Sequence, residues 1–337
     1  MFNNKSILIT GGTGTFGKEF VNYVIENFKP KRLIIYSRDE LKQLIMREDL
    51  SVKKFDFLRF FIGDVRDLER LKMATNGIDY LVHAAALKQV ESSEYNPLEC
   101  VKTNIHGAEN VINASLYNNI KKVIALSTDK AVNPLNLYGA TKLVSDKLFV
   151  SANNFYGNNL TRFSVVRYGN VAGSRGSIIP LLKSLKEKKL FYFPLTDPDM
   201  TRFWIEKKDA VKFVIKCFLR MHGGEIFIPK LKSFKILDLL KVFGVDKKIK
   251  ISGIKPGEKI HESLCDKNES KNTVVFKNFY TIIPALSINI TKKTFCRTKL
   301  GERGSLAKVD FDNASNEIKN LLSITELNRL VKNLNYE

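Results

Sequence analysis

The chain has 337 residues, which is long enough for one large domain and a smaller one with a sizeable core. Its 55 lysines and arginines outnumber 35 acids and give a formal net charge of +20, but the cations are spread along the chain, which argues against a nucleic-acid partner. No stretch approaches the ~18–20 continuous apolar residues of a membrane span, and four scattered cysteines lack CxxC spacing. We therefore expect a cytoplasmic protein with free thiols, no metal site and no membrane partner.

A glycine-rich turn between a strand and a helix begins the chain. The apolar run Ser6 to Thr10 leads into the sequence GGTGTFG, and helical spacing of apolar residues follows. Glycines at this spacing let the backbone turn tightly and approach a pyrophosphate at the positive end of the helix, although an ordinary glycine turn is the alternative. The pattern predicts dinucleotide binding by Gly11, Thr13, Gly14, Thr15, Phe16 and Gly17.

The end of the second predicted strand is where the adenosine ribose is normally recognised. The apolar run from Arg32 ends in Ser37, Arg38 and Asp39. A carboxylate at this place binds a free 2′-hydroxyl, whereas an arginine accommodates a 2′-phosphate. Because Ser37 and Arg38 come first, we favour NADP over NAD. Asp39 either binds a ribose or caps the following helix.

Two further predicted strands contribute walls of the same site. The third runs from Arg59 and ends in Asp64 and Val65, where it would meet the adenine edge. His83 lies inside the apolar run of the fourth strand and is interpreted as a core histidine. This strand ends in small residues that allow a ring or ribose to approach, or simply pack tightly: Ala84, Ala85 and Ala86.

The fifth predicted strand carries the candidate catalytic residues. It begins at Lys121 and ends in the sequence STDK, residues 127–130, as a buried parallel strand does at the carboxyl end where open α/β sheets bind ligands. On the next helix Tyr138 and Lys142 lie four residues apart on one face. We expect the Lys142 ammonium to lower the pKa of the phenol. Such a pair also arises by chance on many helices, but the upstream glycine turn favours a catalytic role.

Six strands alternating with helices predict an α/β fold with a doubly wound parallel sheet, the Rossmann arrangement. The sixth strand runs from Arg162 to Val171, and the regularity breaks at about residue 172. We predict an NADP-binding domain over residues 1–171, completed by segments returning around 205–230. Residues 172–337 would form a smaller, mainly substrate-binding lobe.

Polar features outside the strands are also informative. Asn104 lies in a long predicted helix that opens at Asn96-Pro97, and it needs a polar partner if buried. Three polar loops, around residues 173–177, 194–202 and 253–262, each place a cation among hydroxyls or carboxylates, and the last is predicted to lead into a helix. Together they suit a nucleotide diphosphate, although any one alone is typical of surface ion pairing.

The motifs TGGTGTFG, YSRDELK, GDVRD, HAAALK, LSTDKA, NLYGATK, VVRYGNVAGSRGS, MTRFW and HGGEIFIPK together resemble the extended short-chain dehydrogenase/reductase superfamily. More narrowly, the chain is similar to the inverting UDP-N-acetylglucosamine 4,6-dehydratases of the soluble type, which begin pseudaminic acid biosynthesis in flagellated bacteria. The similarity covers residues 5 to about 265. Its sharper mark is the Asp129-Lys130 pair, which epimerases of the superfamily usually lack; the alternative is an ordinary surface ion pair.

The resemblance implies a redox-neutral dehydration that inverts carbon 5 of the hexose. Tyr138, tuned by Lys142, would take the carbon 4 hydroxyl proton, and Thr128 would bind the carbon 4 oxygen. Lys130 would be the carbon 5 base and Asp129 the acid for the departing hydroxyl. A lysine acts as a base only if desolvation or a nearby cation lowers its pKa.

The resemblance also implies a homo-oligomer, from dimer to hexamer, and further binding residues. Lys88 would lie near both nicotinamide and sugar. Other cofactor contacts would come from Arg38, Asp64, Val65, the three alanines, Asn104 and Val171. Substrate contacts would come from Lys88, Asn170, Arg175, Ile178, Arg202 and Glu258.

One stretch departs from the family pattern. Lys88 is followed by Gln89-Val90-Glu91 where the family usually has His-Val-Pro, so the choice among UDP-N-acetylhexosamines stays open. A UDP-N-acetylhexosamine 4-epimerase is the enzymatic alternative, and an NADP-sensing regulatory protein on the same fold is the non-enzymatic one.

Overall fold

The computed structural model describes residues 1–50, 55–154, 161–174, 176–187, 192–245, 249–286 and 291–334. The first part of the chain forms β1 (Ser6–Thr10), α1 (Thr15–Asn27), β2 (Arg32–Ser37), α2 (Glu40–Asp49), β3 (Leu58–Ile62), α3 (Leu68–Ala74), β4 (Tyr80–His83), α4 (Val90–Tyr95), α5 (Pro97–Val101), a π-helical turn (Lys102–His106), α6 (Gly107–Tyr117), β5 (Lys122–Thr128), a 3-10 turn (Asp129–Ala131), α7 (Leu137–Ser151) and β6 (Arg162–Tyr168).

The second part contributes shorter elements. It forms α8 (Ile178–Glu187), β7 (Phe193–Leu195), β8 (Thr201–Trp204), α9 (Lys207–Arg220), β9 (Ile226–Pro229), β10 (Lys232–Lys235), α10 (Ile236–Val242), β11 (Ile249–Ile251), β12 (Ser263–Cys265), β13 (Thr273–Val275), β14 (Phe279–Ile282), α11 (Lys292–Phe295), β15 (Ser305–Leu306), β16 (Asn313–Ala314) and α12 (Ile324–Lys332). No helix among these described elements is long and apolar enough to cross a membrane.

One large sheet organises the described residues. Its ten strands lie in the order β15-β13-β14-β9-β6-β5-β4-β1-β2-β3, and the six predicted strands together with β9 run parallel. The strands β13, β14 and β15 extend one edge in antiparallel fashion. The predicted doubly wound α/β fold is therefore confirmed, and the winding reverses between β1 and β4, where such sheets bind ligands.

Three hydrophobic clusters lie among the described residues. One packs α1 and α9 on a face of the sheet, for instance through Phe20 and Phe218, and a second packs α3, α6 and α7 on the other face. The third joins α8, α10 and α12 apart from the sheet. The helix α9 thus packs on the large sheet together with α1. Because β13 to β15 also lie on this sheet, the division at residue 171 stays a prediction.

Three local expectations are wrong. The helix expected from Asn96 onward is interrupted at Lys102–His106 by a π-helical turn. The residues after Glu258 do not lead into a helix; they lead into β12, which pairs with the distant β16. In addition β4 ends at His83, because its neighbour β1 turns away at the glycine loop, so the three alanines lie in a loop.

Candidate active site

A cleft of about 1390 Å³ opens at the carboxyl ends of the parallel strands. Most of the predicted site residues line it: Gly11, Thr13, Gly14, Thr15, Phe16, Gly17, Ser37, Arg38, Asp64, Val65, Ala84, Ala85, Ala86, Lys88, Thr128, Asp129, Lys130, Tyr138, Lys142, Asn170, Val171, Arg202 and Glu258. Asn104 and Ile178 do not line it, and Arg175 lies outside the described residues.

The glycine turn has the shape that a pyrophosphate needs. Gly11 has a φ of +65°, and the Gly14 amide donates to its carbonyl at 3.0 Å. A Cβ on Gly17 would lie 2.4 Å from the Gly12 carbonyl oxygen, so only glycine lets α1 begin so close to the turn. Gly14, the N-cap residue of α1, has no side chain with which to bond the first-turn amides, which leaves this end of the helix available to an anion.

The end of β2 carries the three residues considered for the adenosine ribose. Asp39 accepts a hydrogen bond from the Lys42 amide at 2.9 Å and caps α2, which is the helix-cap role that the sequence allowed. Ser37 is buried and shares a 2.8 Å hydrogen bond with Thr13 of the glycine turn. The Arg38 side chain stays 54% exposed, 3.7 Å from Asp64.

A buried asparagine supports the wall formed by residues 84–88. Asn104 Oδ1 accepts from the Leu87 amide and Nδ2 donates to the Leu87 carbonyl, each at 2.9 Å, while Nδ2 also donates to Thr141 Oγ1. The polar partner expected for this residue is therefore present. Asn104 braces the wall from behind, so a direct contact with a cofactor stays a prediction that its position does not favour.

The Asp129-Lys130 pair follows β5 on a short 3-10 turn inside the cleft. Asp129 is only 1% exposed, which excludes an ordinary surface ion pair. Lys130 Nζ lies 3.1 Å from Asp129 Oδ1 and 3.1 Å from Oε1 of Glu262, a residue that the sequence analysis did not single out as a site residue. Thr128 Oγ1 donates to Asp129 Oδ1 at 2.9 Å.

These two carboxylates decide the ionisation of Lys130. Burial disfavours its ammonium, but Asp129 and Glu262 outweigh burial and hold the pKa of Lys130 above its ordinary value. Burial therefore does not lower this pKa on balance, as a lysine base would need, because a second carboxylate from a distant segment faces the amine. Glu262 belongs to the third polar loop, but nothing in its local spacing indicates the contact.

The expected tuning of Tyr138 by Lys142 is also wrong. Burial raises the pKa of Tyr138 to about 12, and the foremost group opposing this rise is the Lys130 ammonium rather than Lys142. Burial lowers the pKa of Lys142, although Asp146 opposes the change. Tyr138 and Lys142 do share the cleft, so the predicted pair exists but its electrostatics are set by burial.

Two of the predicted substrate residues, Asn170 and Arg202, differ in what they can offer a ligand. Asn170 Oδ1 is buried and has no hydrogen-bond partner among the described residues, which leaves an acceptor for a ligand. Arg202 instead donates to the carbonyls of Lys259 and Ile260, each at 3.0 Å, and so holds the third polar loop. The departing residues Gln89 and Glu91 line the cleft, and Glu91 pairs with Lys255 at 3.3 Å.

Sequence comparison agrees with this architecture. The model of a family described as "Polysaccharide biosynthesis protein" matches residues 7–284. Two proteins named UDP-N-acetylglucosamine 4,6-dehydratase (inverting) are similar: one from Campylobacter jejuni strain 81-176 is 53% identical over 97% of each chain, and one from strain NCTC 11168 is 55% identical over 94% of this chain and 93% of that protein. A protein from Rickettsia canadensis named UDP-glucose 4-epimerase is 41% identical over 84% of each chain.

A solved structure has the same fold over almost the whole length. The X-ray structure of Pen from Bacillus thuringiensis superposes with a TM-score of 0.87 at 36% identity, covering 99% of this chain and 98% of that one. The glycine turn, the parallel sheet and the Tyr138-Lys142 pair agree with the superfamily that the motifs predict. This chain therefore belongs to the polysaccharide biosynthesis protein family, within the extended short-chain dehydrogenase/reductase superfamily, and is similar over nearly its whole length to the inverting UDP-N-acetylglucosamine 4,6-dehydratases.

Proposed function

We propose that this protein is a UDP-N-acetylglucosamine 4,6-dehydratase that inverts carbon 5 and releases a UDP-4-keto-6-deoxy-L-hexosamine. The observation that carries the proposal is the buried Asp129-Lys130 pair, which lines the same cleft as Tyr138. The names of the two Campylobacter relatives support the substrate and the reaction. An epimerase has no need of a buried acid and amine beside its tyrosine.

The cleft fits a nicotinamide dinucleotide through its glycine turn and the uncapped start of α1. Gly11 to Gly17 would hold the pyrophosphate, and Ser37 and Arg38 would hold the adenosine ribose. When bound, such a cofactor supplies a hydride acceptor at carbon 4 and returns the hydride to carbon 6, so the reaction consumes none. Because Asp39 is engaged as a helix cap and Arg38 is half exposed, we propose NADP.

The roles of the chain's own residues follow from their chemistry. Tyr138 takes the carbon 4 hydroxyl proton, and Thr128 holds the carbon 4 oxygen. A ketone at carbon 4 makes the carbon 5 proton acidic, and Lys130 removes it. Asp129 protonates the carbon 6 hydroxyl, which leaves as water. Asn170 offers the substrate an acceptor oxygen that has no partner among the residues that the structure describes.

Further parts of the proposal concern the pathway, the location, the assembly and the substrate contacts. The resemblance to the soluble dehydratases suggests that the product enters pseudaminic acid biosynthesis, that the enzyme is cytoplasmic and that it works as a homo-oligomer. Lys88 and Glu258 line the cleft and are proposed to contact the UDP-sugar. Gln89 and Glu91 are proposed to adjust the choice of hexosamine.

The experiment is an incubation of the purified protein with UDP-N-acetylglucosamine in deuterated water, with the product read by NMR. We expect a 4-keto-6-deoxy sugar with inverted carbon 5 carrying deuterium. Formation of only the galacto epimer would contradict the proposal and favour the activity that names the Rickettsia relative.

A variant separates the two activities further. Lys130→Ala should lower the rate of dehydration by a factor of about 10² or more, because the carbon 5 base is gone. Epimerisation has no step that needs a carbon 5 base, so an epimerase would still invert carbon 4 in this variant, slowed only as far as the loss of the Lys130 ammonium affects Tyr138. Lys121→Ala is the matched control, since Lys121 pairs with Asp79 on the surface and does not line the cleft. It should dehydrate at the unaltered rate.

A further inference from the structure

A carboxylate from a distant part of the chain contacts the amine of the candidate catalytic pair. Glu262 Oε1 lies 3.1 Å from Lys130 Nζ, and the Glu262 side chain is only 3% exposed. Lys130 follows β5, whereas Glu262 ends the polar loop before β12. The Lys130 ammonium therefore forms two ion pairs. One is with Asp129, its neighbour in the 3-10 turn, and the other is with Glu262 from the second part of the chain.

Buried contacts fix the position of Glu262. Its amide donates to Ser315 Oγ at 2.9 Å, and its carbonyl accepts from the Ser315 amide at 2.8 Å. Ser315 is fully buried and follows β16, the partner of β12. Arg202 ties down the two carbonyls that come shortly before Glu262, and its Nε lies 4.0 Å from Glu262 Oε1. Three segments of the chain thus hold this carboxylate against Lys130.

Each of the two carboxylates has one oxygen that makes no hydrogen bond to the described residues. Within the described part of the chain, Asp129 Oδ2 and Glu262 Oε2 are buried without a hydrogen-bond partner. Buried acceptors are normally satisfied, because an unpaired one costs about 1–3 kcal/mol. An ion pair with only a structural role has no need of two unpaired carboxylate oxygens beside one amine. A site that exchanges protons with a ligand does need free oxygens that can accept them.

The charges around Lys130 balance. Asp129 and Glu262 face its ammonium, and Arg202 lies against Glu262. Tyr138 and Lys259 also interact electrostatically with this group. The cations Lys130 and Arg202 balance the two acids, and Lys259, whose pKa is lowered by burial, adds no more than one positive charge. The Asp129-Lys130 pair can therefore carry one proton without a further counter-ion.

We propose that Glu262 is a positioning residue that holds Lys130 and the single proton of the Asp129-Lys130 pair in place for the elimination of water. This inference rests on the proposed dehydratase function and deepens it. At rest the proton of the pair lies on the Lys130 ammonium, and the pair reacts after this proton has passed to Asp129 Oδ1, 3.1 Å away, which leaves a neutral amine on Lys130 without changing the total charge. The electrons of the carbon 5–hydrogen bond form the carbon 5–carbon 6 double bond, and the proton passes to Lys130 Nζ. The carbon 6–oxygen bond breaks, and the hydroxyl leaves as water with the proton of Asp129.

Glu262 keeps its negative charge throughout this step. It stabilises the ammonium that forms on Lys130 and prevents the pair from losing its proton to solvent. Because Asp129 and Glu262 raise the pKa of Lys130 above its ordinary value, the active, singly protonated pair persists to high pH. Removal of Glu262 should therefore move the loss of activity on the alkaline side to lower pH.

The test compares kcat as a function of pH for the full-length enzyme and three variants. In Glu262→Gln the alkaline limb should move to lower pH by about 1–3 units, the usual effect of an opposite charge at this distance. Its kcat at neutral pH should fall at least about tenfold with little change in KM, because the amine has lost its second anchor. Glu262→Asp keeps the charge, so its alkaline limb should stay near that of the unaltered enzyme while kcat falls.

Glu302→Gln is the matched control, because Glu302 also pairs with a cation, Arg220, but does not line the cleft. Its pH profile should be unchanged. Thermal unfolding of every variant reports folding. An unchanged alkaline limb in folded Glu262→Gln overturns the inference, as does an equal shift in Glu262→Asp.

The same assay separates this inference from the proposed function. If the unaltered enzyme forms only the galacto epimer, the dehydratase function fails and the role of Glu262 fails with it. If the unaltered enzyme dehydrates and Glu262→Gln has the same profile, the role of Glu262 alone is wrong.

Discussion

Tyr138 shows how strongly burial acts on single residues in this cleft. Its pKa is raised to about 12 by burial, and the Lys130 ammonium partly opposes this rise. A phenol with such a pKa holds its proton at neutral pH, so its action as a base depends on positive charge in the cleft. Lys130 supplies that charge from the chain itself. The two proposed catalytic groups are therefore electrostatically coupled, and a change at Lys130 also alters the pKa of Tyr138.

Arg38 is the residue on which the cofactor preference should depend. In Arg38→Ala we expect NADP to bind about 10- to 100-fold more weakly, since a charge-assisted contact to the 2′-phosphate is lost, while NAD affinity changes little. Isothermal titration with each dinucleotide measures this. Arg59→Ala serves as control, because Arg59 does not line the cleft. Equal weakening for NADP and NAD would refute the assignment.

His83 is a core residue, as the sequence suggested. It is 1% exposed, and Thr10 Oγ1 lies 2.8 Å from its Nδ1. Because Thr10 Oγ1 already accepts from the amides of Ala84 and Ala85, its proton can be donated to Nδ1, which fits a neutral ring. Burial lowers the pKa of His83 from 6.5 to about 3.

This lowered pKa predicts an acid-sensitive fold. Below pH 6.5 the unfolded chain binds a proton at His83 that the folded protein does not, so stability is lost as pH falls from 6.5 toward 3. Between pH 6.5 and 5 the loss should be about 2 kcal/mol. His83→Asn, whose amide oxygen can accept from Thr10, should flatten this dependence in urea unfolding. His106→Gln, at an exposed site, should leave it as it is; an unflattened curve in His83→Asn would contradict the prediction.

At the scale of elements, the π-helical turn between α5 and α6 has a consequence for the cleft. Asn104 sits in this turn and bonds both backbone groups of Leu87. Apolar packing of the helix alone would not require an asparagine at this position. The turn therefore couples the helical layer to the loop that carries Lys88 into the cleft.

Removing this brace should affect both stability and binding. Asn104→Ala leaves the Leu87 amide and carbonyl without partners, so we expect a loss of about 2–3 kcal/mol in unfolding free energy and weaker dinucleotide binding. Asn118→Ala is the comparison, because Asn118 also donates two hydrogen bonds but does not line or brace the cleft. Its dinucleotide affinity should be unaltered. Chemical unfolding and titration measure the two quantities, and an unchanged affinity in Asn104→Ala would refute the coupling.

At the scale of the whole molecule, the net charge of +20 should favour an anionic substrate. A positive field raises the rate of encounter with a nucleotide diphosphate, and salt screens it. From roughly 0.01 M to 0.15 M salt the Debye length falls from about 30 to about 8 Å. We expect kcat/KM for the UDP-sugar to fall several-fold over this range while kcat is nearly constant. A neutral osmolyte at the same osmolality should leave kcat/KM unchanged. If salt also leaves kcat/KM unchanged, the positive field does not contribute to substrate encounter.

The sequence by itself was enough for the features that depend on local pattern. Apolar runs and the turns between them predict the six parallel strands, the glycine loop predicts the phosphate end of the cleft, and the Asp129-Lys130 pair beside Tyr138 predicts the family that the comparisons confirm. These signals lie within a few residues of one another, so spacing alone reveals them.

Only the tertiary structure decided the electrostatics of the site. Glu262 reaches Lys130 because β12 pairs with β16, and that pairing joins segments far apart in the chain. The burial that raises the pKa of Tyr138, and the two carboxylates that raise that of Lys130, arise from the same long-range packing. Desolvation and charge pairing depend on which groups meet in space, and no local spacing of residues encodes that.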